Sequence, residues 1–124
     1  MATQIKDHRN LLFVIKSKEG EEEYREFALD MRARAFFASS AEEAIYILNR
    51  HKIDQVILIL SSINEVGLIK YINDYFDDIR VIIVTTKDFN DIISIFNKGK
   101  YKVVNQPVKL TNLKKELKGL EHIT

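Results

Sequence analysis

Asp54-Gln55-Val56-Ile57-Leu58-Ile59-Leu60 is the stretch from which the rest of the chain is read. Residues 56–60 are all aliphatic, so neither face of a strand built from them is suited to water. A strand of that kind fits a parallel sheet covered on both sides, whereas a half-exposed strand would alternate apolar and polar residues. A parallel neighbour requires a crossover, usually a helix, before and after it. The flanking sequence supplies both.

Upstream, Ala41, Ala44, Ile45 and Leu48 recur at helical spacing, and Ser40 with Glu43 forms a capping box at their start. Before them lies a short strand, Ala35–Ala38. Another helical stripe, Tyr24, Phe27, Ala28 and Met31, follows Gly20 and three glutamates that suit a helix N-terminus. The first strand is Leu11–Ile15. Downstream, Leu68, Ile69, Ile72 and Phe76 make a third stripe, followed by the strand Arg80–Thr86. Phe89, Ile92, Ile93 and Phe96, with Asp88 as a cap, mark a fourth helix. Tyr101–Asn105 is a fifth strand, and Leu110, Leu113, Leu117 and Leu120 mark a fifth helix. Five strands alternating with five helices specify an α/β fold, a three-layer sandwich with right-handed crossovers. Residues 1–9 are expected to form a loose N-terminal tail, and residues 10–124 a single domain. Chemistry in such folds collects at the carboxyl edge of the sheet.

Composition narrows the chemistry. The chain has 124 residues, 46% apolar and 30% charged, enough for one domain with its own core. It contains no cysteine, which excludes disulfides, thiolate metal sites and thiol nucleophiles. A net charge of +1 argues against a dedicated nucleic-acid binder. No apolar run approaches the ~18 residues of a membrane span. The opening MATQIKDHRN has no apolar core of a secretory signal, so a cytoplasmic location is expected.

Familiar site motifs are missing. His8, His51 and His122 have no partners at metal-ligand or catalytic spacing, and His51 suits a helix C-terminus as a surface cation. There is no Gly-x-Ser-x-Gly elbow, no Gly-x-x-x-x-Gly-Lys loop and no Gly-x-Gly-x-x-Gly turn. Lys16-Ser17-Lys18-Glu19-Gly20 could hold a phosphate at a helix N-terminus, but its glutamates and single glycine favour an ordinary surface loop.

With these elements in order, the chain resembles the receiver domain of bacterial two-component response regulators. Asp54–Leu60 is similar to the family's third strand. Gly67-Leu68 matches its Gly-Leu at the start of the third helix, and Thr85 its hydroxyl residue at the end of the fourth strand. Gly99, followed seven residues later by Gln106-Pro107, matches the family's Gly-to-Lys-Pro spacing. The resemblance implies a flavodoxin-like sandwich with strand order 2-1-3-4-5, and a cis bond at Gln106–Pro107.

The departures from the family are concentrated at its functional positions. The phosphoacceptor aspartate falls on Ile59. The paired acids that hold a divalent cation fall on Ile15 and Lys16, and the conserved-type lysine before the proline falls on Gln106. Mg²⁺ needs oxygen ligands, which Ile15, Lys16 and Ile59 do not offer. Of the five signature positions only Thr85 keeps its type. Lys16 either leans into the vacated pocket or points to solvent; lysine is rarely buried unpaired, which favours solvent.

These substitutions imply a degenerate receiver that is not an enzyme, holds no metal or cofactor, and works by protein–protein interaction without phosphorylation. The alternative is a sensor binding a small molecule or anion at Lys16, Ser17, Thr85, Thr86 and Gln106. An enzyme of flavodoxin-like shape ranks last, because the edge has no acid–base pair. Residues 98–118 carry seven lysines against one glutamate, a local net charge of +6. In receivers the fourth helix, fifth strand and fifth helix usually form the dimer or effector contact. That places Lys98, Lys100, Tyr101, Lys102, Lys114 and Lys118 on an expected partner face, for a signalling protein or a second copy rather than nucleic acid or membrane. The family's switch aromatic falls near Val103, which is not aromatic.

Overall fold

The computed structural model describes residues 9–16, 18–60, 65–85 and 101–105, with the backbone alone at Glu19, Tyr101 and Asn105. The strands are β1 (Arg9–Val14), β2 (Ala33–Ala38), β3 (Gln55–Ile59), β4 (Arg80–Thr85) and β5 (Tyr101–Asn105). The helices are α1 (Glu21–Asp30), α2 (Ala41–Arg50) and α3 (Val66–Tyr75), with one 3₁₀ turn at Lys18–Gly20 before α1. All strand pairings are parallel, in the order β2-β1-β3-β4-β5. The fourth and fifth helical stripes and the Gln106–Pro107 bond lie outside the described residues.

Side chains alternate across the sheet, so the apolar runs serve two separate cores. Leu12, Val14, Val56, Leu58, Val81 and Ile83 face α2 and α3, where they meet Ala44, Leu48, Leu68, Ile69 and Ile72. Leu11, Phe13, Ile57, Ile82 and Val84 face α1 and meet Tyr24, Phe27, Ala28 and Met31. The three described helical stripes therefore each find a side of the sheet. Phe13 centres the α1 side: its ring stacks on Phe37 at 5.3 Å and lies 5.0 Å from Tyr24 and 6.4 Å from Phe27.

Arg9 begins β1, paired in register with Ala33, so the strand includes the last residue of the expected loose tail. Its guanidinium donates to Gln55 Oε1 at 3.3 Å, which holds that end of the strand to β3. The α2 cap also differs in detail from a standard capping box. Ser40 Oγ accepts from the Glu43 N–H at 3.1 Å, as expected. The Glu43 carboxylate, however, reaches one residue further back, accepting from the Ser39 N–H at 2.6 Å and the Ser39 hydroxyl at 2.9 Å. Arg32 ends α1 in the left-handed region at φ 57, a position glycine would occupy with less strain.

Two outcomes are expected. Phe13→Ala removes a fully buried ring with three aromatic neighbours, and urea denaturation should show a loss of about 3–5 kcal/mol. The bonds from the Ser39 N–H and then its hydroxyl hold the Glu43 carboxyl below its ordinary value of 4.5. A depressed pKa stabilises the fold above the unfolded value, and that contribution disappears as pH falls through the lower folded value. Ser39 amide exchange, measured against pH, should therefore lose protection on acidification below about 4.5 in the native chain. Glu43→Gln should remove that pH dependence.

Candidate functional site

Parallel strands end together, so the residues just beyond them form one edge. On β1 the edge begins with Ile15, whose N–H still donates to the Ala38 carbonyl at 2.9 Å. Ile15 is 9% exposed, and its Cδ1 fills the space above Gly20, where an added Cβ would approach to 3.0 Å. Lys16 follows and is exposed, so the charge leaves the edge for solvent.

On β3, Ile59 pairs with Val84 of β4, and Leu60 extends the ladder by donating to the Val84 carbonyl at 2.8 Å. Ile59 packs against the same apolar cluster that contains Ile15, Tyr24 and Phe27. Ile15 and Ile59 are thus joined by hydrocarbon. On β4, Thr85 is fully buried and lies opposite Asn105 in register. Ile15 and Ile59 meet in one apolar cluster, Thr85 ends β4 at the same edge, and Lys16 is exposed; Gln106 falls outside the described residues.

The donor set does not suit a divalent cation. Ile15 and Ile59 present no oxygen, and Lys16 would add repulsion. Among the described residues no group of three or more His, Asp or Glu side chains could hold a metal. The carboxylate that follows β3, Glu65, sits at the N-terminus of α3 and is 2% exposed, with its bonding already engaged. Desolvating a carboxylate is tolerable where a helix N-terminus offers positive potential.

Part of the expected partner face is described. On β5 Lys102 is exposed, with an interaction of its own, and Val103 is 38% exposed. Lys98, Lys100, Lys114 and Lys118, and the Tyr101 side chain, lie outside the described residues.

Sequence reasoning missed a cleft at the opposite, amino edge of the sheet. It has a volume of about 460 Å³ and lies between the α2–β3 connection (His51, Lys52, Ile53, with Leu48) and the α3–β4 connection (Phe76, Asp77, Asp78, Ile79, with Tyr75). His51, read as a surface cation, is exposed and also rests its ring on Phe36 at 4.6 Å. The clue in the sequence was Tyr71 and Tyr75 at i and i+4, followed by the adjacent acids Asp77-Asp78. No described helix is long and apolar enough to cross a membrane.

Introducing a carboxylate at the edge should be costly. Ile59→Asp places a charge against an apolar cluster, and a loss of about 1–3 kcal/mol is expected by urea denaturation.

No family model matches the chain, and no curated protein matches it. Solved structures do. The signal receiver domain of an HD domain-containing protein from Pseudomonas fluorescens Pf-5 superposes with a TM-score of 0.82 at 20% identity, covering 98% of this chain and 93% of that one. A CheY-like receiver domain protein from Methanospirillum hungatei JF-1 gives 0.80 at 14% identity, over 94% and 96%. A response regulator receiver protein from Pseudomonas putida gives 0.79 at 21% identity, over 93% and 99%. At these identities the likeness is one of architecture, and together with the strand order β2-β1-β3-β4-β5 it establishes that the chain has the CheY-like, flavodoxin-type fold of receiver domains.

Proposed function

We propose that this chain is a degenerate receiver domain that acts in two-component-type signalling as a protein-interaction module, without phosphorylation and without enzymatic activity. The observation that carries the reading is Ile59 packed with Ile15 in one apolar cluster, at the edge where the fold would place its phosphoacceptor and metal-binding acid.

Aspartyl phosphorylation needs a carboxylate oxygen as nucleophile and a cation to neutralise the transferred phosphoryl group. Isoleucine supplies no nucleophile, and the neighbouring Ile15 and Lys16 supply no ligand. Losing the acids together with the lysine that would oppose them is also electrostatically coherent, since the set goes as a charge-balanced whole. What remains is a rigid sheet with exposed helix faces, and the signal it carries would be docking itself. The lysine-rich segment 98–118 would favour an acidic protein surface, chiefly by speeding encounter.

The sensor alternative has one feature in its favour, the fully buried Thr85 at the strand end. The exposed position of Lys16 weighs against it, because the cation that would draw an anion inward is directed elsewhere.

Amide NMR titration with Mg²⁺, then Mg²⁺ plus beryllofluoride, tests the reading. The expected result is no saturable shift at Lys16, Ile59 or Thr85, and no mass increase after incubation with acetyl phosphate. Saturable shifts at those residues, or a phosphorylated chain, would overturn it.

A further inference from the structure

The cleft at the amino edge of the sheet is unrelated to the strand-end positions discussed above, and its two walls carry opposite charge. One wall, at the end of α2, presents Lys52 and His51; the other, after α3, presents Asp77 and Asp78. Lys52, Asp77 and Asp78 are exposed and join no ion pair among the described residues. The walls therefore do not neutralise each other, and both signs stay available to something outside the chain.

Hydrogen bonds and ring contacts hold both walls. The Lys52 carbonyl accepts from Asn10 Nδ2 at 2.7 Å, which fixes the basic wall to β1. The other side rests on aromatic rings: Tyr71 packs on Tyr75 at 4.9 Å and on Phe76 at 6.0 Å. Asn49 Nδ2 donates to the Tyr71 hydroxyl at 3.1 Å and ties that row back to α2. Tyr75 stands at the rim with 71% of its surface exposed. A preorganised tyrosine beside a partly apolar recess has the composition of an interface anchor, and its ordering cost is small.

A face that binds its own copy across a twofold axis must be complementary to itself, which requires both signs on one patch. Rotation places the basic wall of one copy against the acidic wall of the other, twice per interface. The net charge of +1 adds little long-range repulsion between copies. We propose that this cleft is the contact through which two copies of the chain associate, with Lys52 of each facing Asp77 and Asp78 of the other and Tyr75 as the packing anchor. The inference does not depend on the functional reading above.

Sedimentation equilibrium, with circular dichroism to confirm that each variant folds, tests it through charge reversal. The native chain should show a monomer–dimer equilibrium that weakens as salt is added. Lys52→Glu makes both walls acidic, and the double change Asp77→Lys, Asp78→Lys makes both basic; each variant alone should be monomeric. Mixed in equal amounts, the two should form a heterodimer, because every contact again joins opposite charges. Tyr75→Ala should weaken native association by roughly tenfold or more. A native chain that stays monomeric up to its solubility limit would overturn the proposal. So would dimers indifferent to these substitutions, or variants that fail to associate when mixed.

Discussion

The central strands are buried on both faces, and that constraint governs the rest of the molecule. Val56, Ile57 and Leu58 are all fully buried, as are Leu11 to Val14 in β1 and Val81 to Ile83 in β4. A strand without a wet face cannot end a layer, so helices must cover both sides and each connection must cross over. Polar chemistry is thereby confined to the two edges where the strands begin and end.

At the carboxyl edge, β1 and β3 continue the apolar interior to their last residues. Ile15 and Ile59 extend the α1-side core to this edge. Carboxylates gathered at such an edge would repel one another unless a cation held them together. Hydrocarbon at the same positions makes no such demand. The amino edge has the opposite character, with a clasp of hydrogen bonds, unpaired charges and exposed rings.

The fold was legible in the sequence because it rests on periodicity. The runs Leu11–Ile15 and Gln55–Leu60, and the stripes through Tyr24, Ala44 and Leu68, each encode burial directly, and each lies where that reading places it. Ile59 and Ile15 were legible only as apolar strand ends; the roles set against them come from the family resemblance and belong to the proposal above. Contacts between distant segments were not. Arg9 reads as tail because its partner Gln55 is 46 residues away. Glu43 reads as a standard capping box because the choice between Ser39 and Ser40 depends on loop geometry. The amino-edge cleft joins residues 48–53 to residues 75–79, and only the stacking of α2 beside α3 brings them together.

The clasp at the amino edge carries a consequence for motion. The Asp54 carboxylate accepts from the Asn10 N–H at 2.8 Å, while the Asp54 N–H donates to the Asn10 carbonyl at 2.9 Å. The Asp54 carbonyl also receives the Arg80 N–H at 3.3 Å, so one residue knots the starts of β1, β3 and β4. The sheet is thus sewn at the hem, and local opening in this region is steered away from the knotted end. Opening at the start of one of these strands is then coupled to the starts of the other two. Fastened in this way, the starts of three strands move as one unit rather than fraying singly.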